Sequence, residues 1–152
     1  MLVGEIVRLQ VQESSLKVGD GPRRRYDPSP IRSVSALRLD ERGVTGLTEW
    51  DDDVEDVHNR DHPASKHRGD NGVSVVFTGH YAAMRERFGP HLSDGIAGEN
   101  ILVDCDQLVG EEDLAADLIV ETCTFSISAG GRSGAVIFSQ PGQFIASPTM
   151  RR

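Results

Sequence analysis

Cysteine is scarce in this sequence, because its 152 residues include only Cys105 and Cys123. Two isolated thiols form neither a disulfide framework nor a Cys-x-x-Cys metal pair, which favours a protein of a reducing compartment. Aromatic content is also low, at 5%. The hydrophobic fraction of 38% still suffices for the core of one domain. We therefore expect a single compact domain without cross-links.

Long apolar runs and an excess of basic residues are absent as well. No stretch approaches the roughly 20 apolar residues that a membrane-spanning helix needs. The segment Met1 to Ile6 lacks the pattern of a signal peptide. The formal charge of −8 argues against nucleic acid as the main partner, because a duplex binder needs a net basic face. These features predict a cytoplasmic protein that binds neither membranes nor nucleic acid.

Three common catalytic motifs are missing. The sequence contains no Gly-x-Ser-x-Gly elbow, no Gly-x-x-x-x-Gly-Lys-Ser/Thr phosphate loop and no Gly-x-Gly-x-x-Gly dinucleotide motif. Hydrolase, nucleotide hydrolase and dinucleotide-binding functions therefore lack motif support. An enzymatic role would have to rest on a thiol.

Alternating and β-branched residues dominate the pattern of predicted elements. They predict strands near 2–11, 34–39, 73–77, 101–103 and 118–120, with further short strands at 136–138 and 144–145 divided by Pro141-Gly142. Tyr81, Met84 and Phe88 recur at helical spacing, with Thr78 as a candidate cap and Gly89-Pro90 as the end of the helix. The fold class predicted is mainly β with one or two short helices.

The stretch from Glu49 to Asp70 is charged and has few apolar residues, so we predict a long surface loop. It holds three histidines that alternate with aspartates, and both residue types are zinc ligands. The histidines are His58, His62 and His67. Their spacing matches no zinc motif, and Pro63 would break a helix that aligned them. A metal site and a solvated polar loop both remain open.

The most informative stretch is Gly95-Ile96-Ala97-Gly98-Glu99-Asn100-Ile101-Leu102-Val103. Two glycines three residues apart permit a tight turn with positive backbone dihedrals and close approach of another group. Glu99 and Asn100 then offer hydrogen-bonding groups that suit either a polar heterocycle or a neighbouring loop. The glycine turn is thus either purely structural or part of a binding site.

This Gly/Gly/Glu/Asn spacing resembles the signature of MOSC domains, which are named after the C-terminal domain of molybdenum cofactor sulfurases. The resemblance covers about residues 1–121 and leaves 122–152 as an unmatched C-terminal segment that would either complete a barrel or be a diverged terminus. It implies a β-barrel of the MOSC type, similar to the pyruvate-kinase β-barrel. Gly43-Val44-Thr45-Gly46 resembles a Gly-x-x-Gly-Asp turn of the family. This chain has Leu47 at the position of the family aspartate. His67-Arg68-Gly69 is the nearest match to a family His-Gly-Gly segment.

The resemblance also implies a set of site residues. Basic side chains would bind the phosphate of a pterin cofactor, since guanidinium groups recognise phosphate oxygens bidentately. The loop around the two glycines would face the pterin. Cys123 would be the catalytic sulfur carrier or the molybdenum contact, although the family's Arg-x-Pro-Cys context is absent, and a buried hydrophobic role is the alternative. The cofactor-binding candidates are Arg24, Lys66, His67, Arg68, Gly95, Gly98, Glu99 and Asn100.

Three functions follow as expectations. The first is binding of the molybdenum cofactor (molybdopterin), with carriage of the cofactor or of sulfur between partners. The second is a small molybdenum-dependent reductase of N-hydroxylated compounds with a redox partner. The third is a degenerate domain with an interaction or structural role, which Leu47, Arg68 and the unmatched tail suggest. A complete sulfurase would also need a pyridoxal-phosphate-dependent domain, for which we expect no room here.

Overall fold

The computed structural model describes residues 2–50, 52–69, 71–110, 118–126 and 135–146. These residues form a mainly β structure with one α-helix, which confirms the predicted class. The strands are β1 Leu2–Gln12, β2 Lys17–Val18, β3 Arg25–Tyr26, β4 Ile31–Ser33, β5 Ala36–Asp40, β6 Gly43–Leu47, β7 Asp53–Glu55, β8 Val75–Phe77, β9 Ile101–Asp104, β10 Leu118–Ser126 and β11 Ala135–Ala146. The helix α1 spans Thr78–Phe88, and a short 3-10 helix spans Gly21–Arg23.

One large sheet has the strand order β7-β6-β5-β11-β1-β9-β8, with β10 paired to β11 and β4 paired to β1. A separate hairpin joins β2 and β3. All pairs in the large sheet are antiparallel except β8 and β9, which run parallel with α1 following β8. Among the described strands the large sheet is open, because β7 and β8 are its two edge strands and each pairs with one neighbour.

The strand β1 is long enough to join several parts of the molecule. Residues 2–6 pair with β11, residues 5–9 pair with β9 on the other side, and the last three residues, Gln10 to Gln12, pair with β4. The backbone N–H of Val57 donates to the carbonyl of Gln12 at 2.7 Å. The chain just beyond β7 therefore reaches the end of β1, so the sheet curves strongly.

Aliphatic side chains from both halves of the sheet form the core. They include the buried residues Ile6, Leu9, Val11, Val34, Leu37, Val44, Phe77, Ile101 and Val103. Gly46 lies in this layer, where an added Cβ would come within 2.7 Å of the Val34 side chain. Burying these groups supplies the main driving force for folding, at about 25 cal/mol for each Å² of apolar surface.

The expected surface loop from Glu49 to Asp70 contains a strand and buried residues, so that prediction was wrong. Asp53–Glu55 forms β7, and Asp56, Val57 and Asn59 are buried. Asp56 is buried because backbone and side-chain donors surround its carboxylate, an arrangement that composition does not reveal. The segment thus contributes to the interior of the fold.

Two other local predictions also need correction. Gly43 to Gly46, expected as a turn, lies in β6 and pairs with β5, because Val44 and its neighbours complete the buried layer. Thr78 is the first residue of α1 and not its cap, since its hydroxyl donates to Asp104 at 3.0 Å. The helix ends before Gly89 as predicted, with that glycine at a φ of 111°.

The C-terminal strand β11 lies between β5 and β1 in the sheet. The two short strands expected on either side of Pro141 form one strand, which corrects that prediction. Residues 136–139 pair with β5, whereas 142–145 pair with β1. Pro141 lies between these two paired stretches. Proline has no backbone N–H, and at this position its absence interrupts no ladder of hydrogen bonds between strands.

Among the helices in the described ranges, none combines the length and apolar character that a membrane crossing requires.

Candidate functional site

Three segments that carry predicted site residues meet at the end of β1. The side chain of Gln12 donates to the carbonyl of Gly98 at 2.6 Å, which joins the glycine turn to β1. Lys66 Nζ donates to the hydroxyl of Ser15, three residues beyond β1. The hydroxyl of Tyr26, on the hairpin that carries the basic loop, donates to the carbonyl of Ile96. We call this region the β1-end cluster.

The turn at 95–98 has the geometry that its two glycines predicted. Gly95 and Gly98 have φ values of 84° and 81°, a region that favours glycine. A Cβ added to Gly95 would lie 2.5 Å from Arg8 Nη1, and one on Gly98 would lie 2.5 Å from the Leu16 side chain. Both glycines therefore allow the turn to pack closely over the end of β1, and the inner side of the turn is filled by protein.

Glu99 lies beneath this turn and is almost fully buried, with 3% of its surface exposed. Its Oε2 accepts a hydrogen bond of 2.8 Å from the hydroxyl of Tyr81, which in turn accepts from the N–H of Ala97. Burial raises the pKa of Glu99, and the Tyr81 hydrogen bond offsets part of that rise. Burial also raises the pKa of Tyr81, so its hydroxyl stays protonated and available as a donor.

Two buried oxygens beside the turn have no hydrogen-bond partner among the described residues. They are Oε1 of Glu99 and Oε1 of Gln10, whose side-chain nitrogen donates to the carbonyl of Gly95 at 2.7 Å. Unpartnered buried acceptors are costly, and a carboxylate costs more than a carboxylic acid. The lack of a partner for Oε1 acts in the same direction as burial, which raises the pKa of Glu99 above its ordinary value.

Asn100 is buried beside Glu99, and both the nitrogen and the oxygen of its side-chain amide form hydrogen bonds. Its Nδ2 donates to Asp56 Oδ2 at 2.9 Å and to the carbonyl of Gln10 at 3.3 Å. Its Oδ1 accepts from the backbone N–H of Ser74 at 3.0 Å. Donors and acceptors on both sides fix the orientation of this amide. Asn100 therefore connects the glycine turn to the segment that follows β7.

Asp56 is fully buried and accepts four hydrogen bonds. One oxygen accepts from the backbone N–H of Gln12 at 2.8 Å and from Asn100. The other accepts from the backbone N–H of His58 at 2.8 Å and from His58 Nδ1 at 2.9 Å. The two backbone N–H groups and the Asn100 amide are donors, and a carboxylate oxygen that accepts from them also suits the Nδ1–H form of the His58 ring. Asp56 thereby fixes both the backbone and the ring of His58.

The other two histidines of this segment use both ring nitrogens in structural hydrogen bonds. His62 Nε2 contacts the carbonyl of Glu13 at 3.0 Å, and its Nδ1 accepts from the N–H of Ala64. His67 Nδ1 contacts the carbonyl of His58 at 3.1 Å. The remaining nitrogen of His67 accepts from the side chain of Arg60 at 3.0 Å. Each ring is thus held in one neutral tautomer by its surroundings.

Metal ligands are not assembled in the described part of the chain. No group of three or more histidine, cysteine, aspartate or glutamate side chains there has the arrangement to hold a metal ion. Asp70, one of the expected partners of the histidines, lies outside the described residues.

The basic candidates Arg24, Lys66 and Arg68 are all exposed. Arg24 follows the short 3-10 helix in the hairpin region, and Arg68 follows His67. The contact of Lys66 with Ser15 is to a neutral hydroxyl. Among the residues with a described structure, none of these three cations forms an ion pair with a carboxylate. Their positive charges are therefore not neutralised by described acidic side chains.

The two thiols differ in how far the structure describes them. Cys105 is half-buried and packs against the core, and its backbone N–H donates to Thr78. Cys123 lies in β10 with its backbone opposite Phe138. The side chain of Cys123, and with it the predicted sulfur or metal contact, lies outside the described residues.

Sequence reasoning missed the roles of Asp56, Gln10 and Tyr81 at this site. The aspartates that alternate with the three histidines, Asp56 among them, were considered only as candidate zinc ligands, and Gln10 and Tyr81 only as parts of a strand and a helix. No local signal distinguishes a buried Asp56 within so acidic a stretch. The Asx-x-His spacing of Asp56 and His58 is the one local hint, because short polar side chains commonly accept from the backbone two residues ahead.

Comparison of the chain with protein-family models, with curated proteins and with solved structures gives no match.

Proposed function

We propose that this protein binds the molybdenum cofactor, a phosphorylated pterin, at the β1-end cluster, and carries the cofactor or its sulfur between partner proteins. The observation that carries the proposal is the meeting of the glycine turn, Lys66 and the arginine-bearing hairpin around Gln12, Ser15 and Tyr26. These segments are far apart in sequence, and all of them are expected from the same family resemblance to contact the cofactor.

The charges of the cluster support a phosphate ligand. Lys66, Arg24 and Arg68 are exposed and have no carboxylate partner among the described residues. Cations of this kind bind phosphate through charge-assisted hydrogen bonds, and arginine does so with two parallel bonds. A neighbouring groove of about 350 Å³ is lined by three acidic residues, Glu13, Asp53 and Glu55, and by one arginine, Arg38, which already pairs with Asp53, so it is less suited to phosphate. We therefore assign the phosphate to the basic side of the cluster.

The glycine turn has a supporting role in this proposal. Glu99 and Asn100 are buried beneath the turn and hold its shape, while Ala97 is exposed. His67, whose ring is already hydrogen-bonded on both sides, positions Lys66 and Arg68. When bound, the cofactor supplies a redox-active molybdenum ion. Cys123 is the proposed residue for a sulfur or metal contact.

We further propose that the sheet closes into a barrel of the MOSC type. The hydrogen bond between Val57 and Gln12, which brings the chain beyond β7 to β1, supports such curvature. The proposal also includes a cytoplasmic location and a cofactor-sulfurating or redox partner.

The test is equilibrium binding of the cofactor to the apo protein and to single-charge variants. Lys66→Met and Arg68→Gln should each weaken binding about 10-fold, because a lost charge-assisted hydrogen bond costs about 1.5 kcal/mol. The matched control is Arg87→Gln, which removes one positive charge from α1, where Arg87 stacks on Phe88. Equal affinities in all four proteins would contradict the assignment of the phosphate site.

A further inference from the structure

His58 is the one histidine of the 58–67 segment whose ring keeps a nitrogen without a partner among the described residues. Its Nδ1 is bonded to Asp56, whereas His62 and His67 use both ring nitrogens. All three histidines are intermediate in burial. They differ in the number of ring nitrogens that form a hydrogen bond with a described residue.

The bond to Asp56 decides which nitrogen of His58 is basic. Because the other three contacts of this carboxylate are all N–H donors, its oxygen acts as the acceptor toward the ring, which places the ring proton on Nδ1 and the lone pair on Nε2. The carboxylate is fixed by three further donors, so the ring has little freedom to rotate away. An imidazole held this way by a buried aspartate is the arrangement that enzymes use for a proton-accepting histidine.

Asn100 connects this pair to the glycine turn. It donates to the Asp56 oxygen that does not contact the His58 ring, so the three side chains form one chain of hydrogen bonds. Lys66 lies on the same segment, and its backbone N–H donates to the carbonyl of Val57 at 2.7 Å. The residue before His58 is therefore joined by its backbone to the segment that carries Lys66 and Arg68.

We propose that His58 is the proton acceptor of this site, positioned by Asp56 and Asn100, and that it acts on an O–H or N–H group of the bound ligand. The proton moves from the ligand to Nε2, and the electron pair of the broken bond stays on the ligand. The resulting imidazolium is balanced by Asp56, and the ligand anion by Lys66. The ligand class is a phosphorylated heterocycle, which rests on the proposed function.

Two measurements on the wild-type protein test the state of the ring. Long-range ¹H–¹⁵N correlation spectra should show His58 as the Nδ1–H tautomer in its neutral form. Diethyl pyrocarbonate, followed by peptide mapping, should acylate His58 about 10-fold faster than His62 or His67, since each of those rings must first lose a hydrogen bond. Equal rates for the three histidines, or an Nε2–H tautomer at His58, would overturn the proposal.

A third measurement separates this inference from the proposed function. The oxidised phosphopterin derived from the cofactor is added as the probe, its binding is followed by pterin fluorescence, and acylation of His58 is measured in its presence. Binding with protection of His58 supports the role proposed here. Binding without protection overturns the role of His58 and leaves the proposed function standing. Failure of the phosphopterin to bind overturns the proposed function and, with it, the ligand assigned to His58.

A positioning role for Asn100 has its own readout. Asn100→Ala should lower the acylation rate of His58 and broaden its tautomer signal, because Asp56 loses a donor. Asn71→Ala, which removes exposed loop hydrogen bonds, should leave both unchanged. If the Asn100 variant does not fold, the wild-type measurements above still decide the question.

Discussion

Asn100 and Asp56 are 44 residues apart in sequence, and their buried side chains form a hydrogen bond of 2.9 Å from Nδ2 to Oδ2. The bond joins the residue that ends the glycine turn to the residue that positions His58. It also places an amide, and not a second charge, against a buried carboxylate. The stability of the fold and the geometry of the candidate site therefore depend on the same contact.

Asn100→Ala should lower the free energy of unfolding by about 3 kcal/mol. The substitution removes a donor from a buried carboxylate and an acceptor from the N–H of Ser74, and each loss leaves a polar group short of a partner. Urea denaturation monitored by circular dichroism measures the change. Asn71→Ala, whose lost hydrogen bonds are exposed, should cost less than about 1 kcal/mol. Similar losses for the two variants would contradict the structural role of Asn100.

Glu99→Gln should change the pH dependence of stability. Burial raises the pKa of Glu99 above its ordinary value of 4.5, so between 4.5 and the raised value the folded protein binds more protons than the unfolded chain. The contribution of Glu99 to the free energy of unfolding is therefore fully present below pH 4.5. It is lost as the pH rises through the folded-state pKa of Glu99. Arg8 and Asp94 also act on this carboxyl, with opposite signs.

The measurement is the free energy of unfolding of wild type and Glu99→Gln from pH 4 to pH 8. Wild type should lose free energy of unfolding as the pH rises through the folded-state pKa of Glu99, and the variant should not. The variant should therefore become more stable relative to wild type as the pH rises. Glu86→Gln, on the exposed side of α1, is the control and should follow the wild-type profile. A Glu99→Gln profile parallel to wild type would show that Glu99 has the same pKa in both states.

Tyr81→Phe should destabilise the protein by about 1 to 2 kcal/mol, because Glu99 loses a donor and the N–H of Ala97 loses an acceptor. The loss should increase with pH, since the ionised form of Glu99 depends most on that donor. Thermal unfolding at pH 5 and at pH 8 compares the two conditions. A loss that is the same at both values would show that the Tyr81 hydroxyl does not stabilise the carboxylate.

Gly98→Ala should destabilise the protein more than Gly69→Ala, although both glycines have positive φ values of 81° and 95°. At Gly98 the added Cβ would meet Leu16 at 2.5 Å, whereas at Gly69 nothing lies within 4 Å. The backbone cost of about 1 kcal/mol is shared, and overpacking adds about 1 to 3 kcal/mol at Gly98 alone. Chemical denaturation of both variants measures the difference. Equal losses would show that the turn does not pack against Leu16.

Much of the local structure could be predicted from the sequence. The β-rich run at 2–11 predicts β1, the spacing of Tyr81, Met84 and Phe88 predicts α1, and two glycines predict the turn at 95–98. Each of these features is decided by residues close to one another in the chain. That is why the sequence pattern is sufficient for them.

The contacts that build the site could not be predicted in the same way. Asp56 lies in a stretch whose composition is typical of a solvated loop, and only its donors from β1 and from Asn100 make its burial favourable. The pairing of β11 with both β5 and β1 likewise depends on strands more than 90 residues away. Such relations require the tertiary structure, because no local propensity encodes which distant partner satisfies a polar group.

The most direct test of the central claim is the molybdenum and pterin content of the protein, purified without air from a host that makes the cofactor. Elemental analysis and oxidised-pterin fluorescence should give both components at equal stoichiometry in wild type and reduced amounts in Lys66→Met, with Arg87→Gln unchanged. A folded wild-type protein that contains neither molybdenum nor pterin would contradict the account and favour a degenerate domain with an interaction role.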